Sequence, residues 1–201
     1  MSLVRGLALV NDVAVLRRLY GDAMVAQFAT ALTAAQRAEL EAGFLPGRWY
    51  DEDIQARLCQ WVCGQLGREG GFRLGVAIGH YHVNRAQRFL ARVAGPRRLL
   101  DRAAGLWRWW RDTGRMEVEL FDRKGRATVV VREHPLLATP GYAEVYGGSS
   151  AFLVALSGAR NVRLRIEEAS PARVVADVRW APDRADGEGY FHVDAALASL
   201  P

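Results

Sequence analysis

The residues best suited to chemistry are two cysteines and four histidines. Cys59 and Cys63 stand four apart, a spacing that puts both thiols on neighbouring turns of one helix face. They supply two metal ligands where zinc takes three or four, and no second pair follows, so they read as buried thiols. In "GHYHVN", His80 and His82 would share a face on a strand, but the flanking pattern is helical or a turn and offers no third ligand. His134 precedes Pro135 at the end of a strand pattern and His192 lies near the C-terminus, neither with a partner in sequence. There is no G-x-S-x-G elbow, no P-loop and no G-x-G-x-x-G in the right flanks. "YGGSS" (Tyr146–Ser150) has the look of a phosphate loop. It lies within a helix pattern that continues to Leu156, however, and only helix N-termini offer free N–H groups. Gly147 and Gly148 there suit the close approach of another backbone. No catalytic residue, metal ligand or cofactor is assigned.

The elements that must position any site follow from periodicity. Helical spacing covers Asp12–Leu32 with a break at Gly21, Thr33–Gly43 with Thr33 as its cap, and a helix after Asp51 that ends at Gly67. "FLPGRWY" reads as a turn and "REGG" as a loop. One or two short helices run to Gly95, and Pro96 opens the helix Arg97–Asp112. The period then changes to two. Met116, Val118 and Leu120 alternate with Glu117, Glu119 and Phe121, "DRKG" (Asp122–Gly125) turns, and "RATVVVREH" returns. A helix follows with Tyr142, Val145, Ser149, Phe152, Leu153 and Leu156 on one side. "NVRLRIEE" and "ARVVADVRW" form a second hairpin.

Each of the four strands has one apolar and one charged face. The expected fold is α+β, an N-terminal helical half packed on one face of a four-stranded antiparallel sheet. Glu117, Glu119, Arg163, Arg165, Asp177 and Arg179 fall on the wet side. The expected organisation is one domain over residues 1–180, helical over 1–112 and sheet-forming over 115–180, with 181–201 as linker and tail.

Composition narrows the function classes. Residues 1–84 carry eight arginines and eight acids, whereas 85–132 carry twelve arginines, Lys124 and five acids, a net +8. That basic block is spread over helices, a turn and a strand without a nucleic-acid motif, so a solvated face is favoured over a nucleic-acid surface. No apolar run approaches the ~20 residues needed to span a bilayer. The opening "MSLVRGLALVND" lacks the order of a signal peptide, and a cytoplasmic location is expected.

In "LWRWW", three tryptophans cannot all face one core. At about 100° per residue, Leu99, Leu100, Ala103, Leu106, Trp107 and Trp110 share one arc, while Trp109 falls between Arg98 and Arg102 on the other side. Arg98, Arg102 and Trp109 are therefore the candidate interface, with packing of Trp109 under a neighbouring segment as the alternative. Any ligand pocket should lie between the Trp49–Leu66 region, the helix Arg97–Asp112 and the apolar sheet face. Trp49, Tyr50, Trp61, Trp107, Trp110 and Tyr142 would line it, unless they are plain core.

Four segments in order, "VRGLALVNDVAVLRRLYG", "LTAAQRAELEAGFLPGRWYDEDIQARL", "PRRLLDRAAGLWRWWRDTGRMEV" and "YGGSSAFLVALSGARNVRL", resemble a large paralogous family of uncharacterised proteins found mainly in myxobacteria. That family is similar in layout to a superfold of haem-nitric-oxide-binding, four-vinyl-reductase-like and small Golgi-tethering domains. The resemblance implies helices on an antiparallel sheet, with room for a small molecule or acyl chain between them. It carries over neither haem nor a cysteine-bound metal, since the Tyr-x-Ser-x-Arg signature and the late-strand cysteines are absent. Three functions follow as expectations: a non-enzymatic domain that binds a small apolar ligand or a protein partner in sensing or signalling; a homodimeric scaffold with no ligand; and nucleic-acid binding through residues 85–132. An enzyme using His80, His82 and a cysteine is a further alternative.

Overall fold

The computed structural model describes residues 2–122, 125–180 and 189–201. An N-terminal lobe begins with the short strand β1 (Leu3–Arg5), followed by α1 (Gly6–Tyr20), α2 (Asp22–Thr30), α3 (Ala34–Ala42) and a second short strand, β2 (Trp49–Asp51). Thr33 and Gln36 form a reciprocal capping box at the start of α3, satisfying N–H groups that a helix start leaves open. β1 and β2 pair antiparallel, Val4 opposite Tyr50, so the "FLPGRWY" turn ends in a strand.

Two long kinked helices come next. α4 (Asp53–His82) bends at Gly67, whose φ is 70°. A single positive-φ glycine redirects the chain there, and the helix resumes at once where a loop over "REGG" was expected. α5 (Arg85–Trp110) bends at Gly95, φ 76°. Pro96 then opens its second arm, where a missing N–H removes no hydrogen bond.

The remaining elements are β3 (Arg115–Asp122), β4 (Arg126–Arg132), α6 (Tyr142–Leu156), β5 (Arg163–Ala169), β6 (Arg173–Arg179), β7 (Phe191–His192) and α7 (Val193–Ala198). The main sheet is antiparallel with order β3-β4-β6-β5-β7. It has five strands rather than the expected four, and β1 with β2 makes a second, two-stranded sheet. The fifth strand comes from the C-terminal segment. Leu164 pairs with Phe191, and the Phe191 ring stacks on Phe72 at 4.9 Å, so apolar burial holds a two-residue strand on the sheet edge. Residues 123–124 of the expected turn and 181–188 of the expected linker lie outside the described residues.

Val118, Val129, Leu164 and Val178 gather under the helices with Phe72, Leu100 and Phe152. The opposite face carries guanidinium–carboxylate pairs, among them Arg132 with Glu117 and Glu119, and Arg165 with Glu167. Asp177 departs from the expected wet row. It is fully buried because Arg126, Arg179 and the Tyr190 hydroxyl close over it at 2.6, 2.8 and 2.9 Å.

α4 and α6 cross at near backbone contact. A Cβ on Gly75 would stand 2.0 Å from the Val145 carbonyl oxygen, and one on Gly148 would stand 2.3 Å from that of Phe72. Of the glycines of "YGGSS", Gly148 thus serves helix packing, and Gly147 faces the Leu164 side chain on the sheet.

Candidate functional site

The joint between the N-terminal lobe and the sheet holds a buried polar hub. Glu52 immediately precedes α4, Gln55 lies one turn into it, and Asp12 projects from α1. Arg111 follows α5, His134 follows β4, and Tyr142 and Tyr146 lie on the first turns of α6. Five segments distant in sequence therefore meet at one point. Glu52 is fully shielded from solvent, and Asp12, Gln55, Arg111, His134 and Tyr142 are buried.

Glu52 is the centre. Its Oε1 accepts from Arg111 Nε at 2.7 Å and, at 3.4 Å, from the Tyr142 hydroxyl. Its Oε2 accepts from Ser2 Oγ at 2.7 Å and lies 2.9 Å from His134 Nε2. The Leu136 N–H donates to His134 Nδ1 at 3.3 Å. Nδ1 is thereby the acceptor, and the hydrogen bonds assign the proton to Nε2, which donates to Glu52. Arg111 also donates to Gln55 Oε1 at 2.9 Å and to the Tyr146 hydroxyl. Gln55 Nε2 in turn donates to Asp12 Oδ2. Around this chain stand aromatic rings: Tyr142 and Tyr146 centroids are 4.1 Å apart, Trp107 is edge-on to His134, and the Arg111 guanidinium lies over Trp107 and Tyr146 at 4.7 and 4.4 Å.

The electrostatics divide the two carboxyls. Burial pushes Glu52 up, but the hydrogen bond from His134 and the charge of Arg111 outweigh it and hold the group below its ordinary value. Burial dominates at Asp12, where the Gln55 hydrogen bond and more distant Arg111 compensate incompletely, and its pKa is pushed up to about 7. The hub thus balances one carboxylate against one guanidinium, with Asp12 changing charge near neutrality. Burial likewise raises the Cys59 thiol and the Tyr142 hydroxyl well above their usual ranges, which keeps both neutral. A carboxylate–imidazole pair can serve general acid–base chemistry only where a substrate reaches it; both members of this pair are sealed.

Of the aromatic residues expected to line a pocket, the structure brings Trp107 and Tyr142 together at the hub. Tyr50 is buried against Phe44 in the N-terminal lobe, Trp61 packs 5.8 Å from Phe28 in the same core, and Trp110 lies at its margin. Trp49 is half-buried under the Arg5 guanidinium at 4.3 Å. Trp109 is 49% exposed, and Arg98 and Arg102 are exposed further back along the helix. Cys59 is buried and Cys63 half-buried, both as free thiols. Among the described residues no group of three or more His, Cys, Asp or Glu side chains could hold a metal ion, and no helix is long and apolar enough to cross a membrane.

Two surface clefts among the described residues are lined by none of the hub residues. The larger, about 780 Å³, lies among α1, α2 and α3 over Val10, Val13, Val25 and Phe44. The smaller, about 540 Å³, lies beside Tyr20, Arg73 and His192.

Sequence reasoning missed Asp12, Glu52, Gln55, Arg111, His134 and Tyr146 as a group. A signal existed for three of them. Asp12 interrupts the apolar stripe of Leu9, Val13 and Leu16, and Glu52 and Gln55 fall in helical register with Cys59 and Val62. Polar residues at core positions call for partners.

No family model and no curated protein matches the chain. Solved structures do. The Fe(II) unliganded H-NOX protein from K. algicida superposes with a TM-score of 0.65 at 9% identity, over 91% of this chain and 100% of that one. A single-substitution mutant of the same protein gives 0.62 at 10% identity, over 87% and 95%. The chain has the H-NOX fold.

The residues present do not fit an iron porphyrin, which needs an axial donor with a free lone pair facing a slot. Both ring nitrogens of His134 are engaged, one by Glu52 and one by the Leu136 N–H. The unpartnered Nδ1 of His80 is closed off from solvent, with the ring set edge-on to Tyr81 and Phe152. His82 Nδ1 is tied to the Ile78 carbonyl at 2.8 Å. His192 borders an open cleft whose aliphatic walls are Leu66, Ala195 and Ala196.

Proposed function

We propose that the chain is a non-enzymatic, cytoplasmic sensory or interaction domain that takes a small apolar ligand at the joint between its two lobes. The carrying observation is the Glu52–Arg111–His134 hub roofed by Trp107, Tyr142 and Tyr146. Buried charge at a joint is costly unless every partner is in place, so the lobes have one preferred setting. A ligand that displaces Trp107 from this roof shifts that setting, which is how a binding event becomes a signal. The H-NOX fold supports the same class.

Native mass spectrometry of the purified protein tests the proposal. A retained small mass at one per chain, lost in Trp107→Phe while the melting transition stays cooperative, supports it. A ligand-free species, unchanged after incubation with lipid and aromatic extracts, refutes it.

A second reading, the homodimeric scaffold, rests on the exposed stripe of Arg98, Arg102 and Trp109. A dimer that Trp109→Ala converts to monomer would favour it. Salt-sensitive DNA binding, lost on charge reversal within residues 85–132, would favour a nucleic-acid role.

A further inference from the structure

The first arm of α5, residues 85–94, is amphipathic in the reverse sense. Phe89, Leu90 and Val93 are 67, 64 and 69% exposed, and Ala86 lies in register beside them, also exposed. The side turned into the protein carries Ala91, which is buried, and Arg88, which donates to the His80 carbonyl at 2.8 Å. The largest apolar side chains of this arm thus face solvent while an alanine faces the core. Burial ordinarily sorts them the other way, and a contiguous apolar patch left in water marks an interaction surface.

The arm is a discrete unit. Asn84 and Gln87 form a capping box at its start, and Gly95 breaks it from the second arm. Its charges have one sign. Arg85, Arg88 and Arg92 lie within it and Arg97 and Arg98 directly after it, and residues 85–94 contain no acid. Arg85 and Arg92 are exposed along one flank of the apolar face.

We propose that this face docks on an anionic lipid surface, with Phe89, Leu90 and Val93 entering the headgroup–acyl boundary and the arginines meeting lipid phosphates. Apolar insertion flanked by guanidiniums is how an interfacial helix binds. The three side chains project as a ridge rather than line a groove, which suits a deformable bilayer. A second copy is a poorer occupant, because an antiparallel two-fold contact would set the arginine flank of one copy against that of the other. Docking here is separate from any ligand at the lobe joint and stands or falls without it.

The test is co-sedimentation of the full chain with vesicles of phosphatidylglycerol mixed with phosphatidylcholine, against pure phosphatidylcholine vesicles. The wild type should partition onto the anionic vesicles and leave them as salt rises. Phe89→Ser with Leu90→Ser should lower the partition coefficient at least about tenfold, and Arg85→Gln or Arg92→Gln about fivefold each. All four positions are exposed, so melting curves should match the wild type and separate lost docking from lost folding. Failure to bind anionic vesicles, equal partition of wild type and variants, or a self-association that the serine variant abolishes without any vesicle binding would overturn the proposal.

Discussion

Asp12→Asn isolates the hub carboxyl whose pKa burial pushes up to about 7. Folded Asp12 holds its proton more tightly than in the unfolded chain, with a pKa near 7 against an ordinary 3.8. Its stabilising contribution is therefore complete below the unfolded value and is lost as pH rises through the folded one. The difference is about three units, and at about 1.4 kcal/mol per unit the whole loss is about 4 kcal/mol, of which about 3 kcal/mol falls between about pH 5 and about pH 8.

Asparagine is nearly the same size, keeps an oxygen to accept from Gln55 Nε2, and does not ionise. The assay is urea unfolding of both proteins at matched pH values. Titrations elsewhere in the chain are common to both, so the informative quantity is the stability difference against pH. The variant should gain on the wild type by about 3 kcal/mol across that interval, with the gain levelling off above pH 7. A difference independent of pH, or one that grows toward acid, would refute the assignment of Asp12 as a buried group neutral in the native state.

Three further outcomes follow from the packing. Glu52→Gln leaves the Arg111 guanidinium buried without its counter-charge and should cost about 3–5 kcal/mol in urea unfolding, whereas Glu167→Gln on the exposed sheet face should change stability by less than about 1 kcal/mol. Gly75→Ala drives a methyl into the Val145 carbonyl and should destabilise by at least about 1–3 kcal/mol; Gly105→Ala, with open space at its Cβ, should be neutral or slightly stabilising by helix propensity. Trp107→Ala empties a buried site and should cost about 3–5 kcal/mol, against less than about 1.5 kcal/mol for Trp109→Ala, which loses mainly its edge-on contact with Trp110. Chemical denaturation of each variant measures these differences.

Much of the architecture was legible from local pattern alone. The change of period from 3.6 to 2 after Gly114 marks where helices yield to strands, and the alternation in "NVRLRIEE" and "ARVVADVRW" places Leu164 and Val178 on the dry side. The angular position of Trp109 among Arg98 and Arg102 follows from helix geometry, and its exposure agrees. The close approach at Gly148 follows from a glycine within a helix pattern. These inferences hold because each depends on neighbours within a few residues.

What the sequence could not supply depends on contacts between distant segments. The fifth strand exists because Phe191 finds Phe72, and two residues carry too little pattern to announce a strand. Asp177 belongs to a charged face by alternation, yet Tyr190 and two arginines bury it. The hub is the fullest case. Asp12, Glu52, Arg111 and His134 are ordinary polar residues in or beside four separate elements, and only the docking of the helical lobe on the sheet puts a guanidinium and an imidazole on one carboxylate. Periodicity reports which way a side chain points. Burial, ionisation and hydrogen bonding depend on what it meets there, and that is decided in three dimensions.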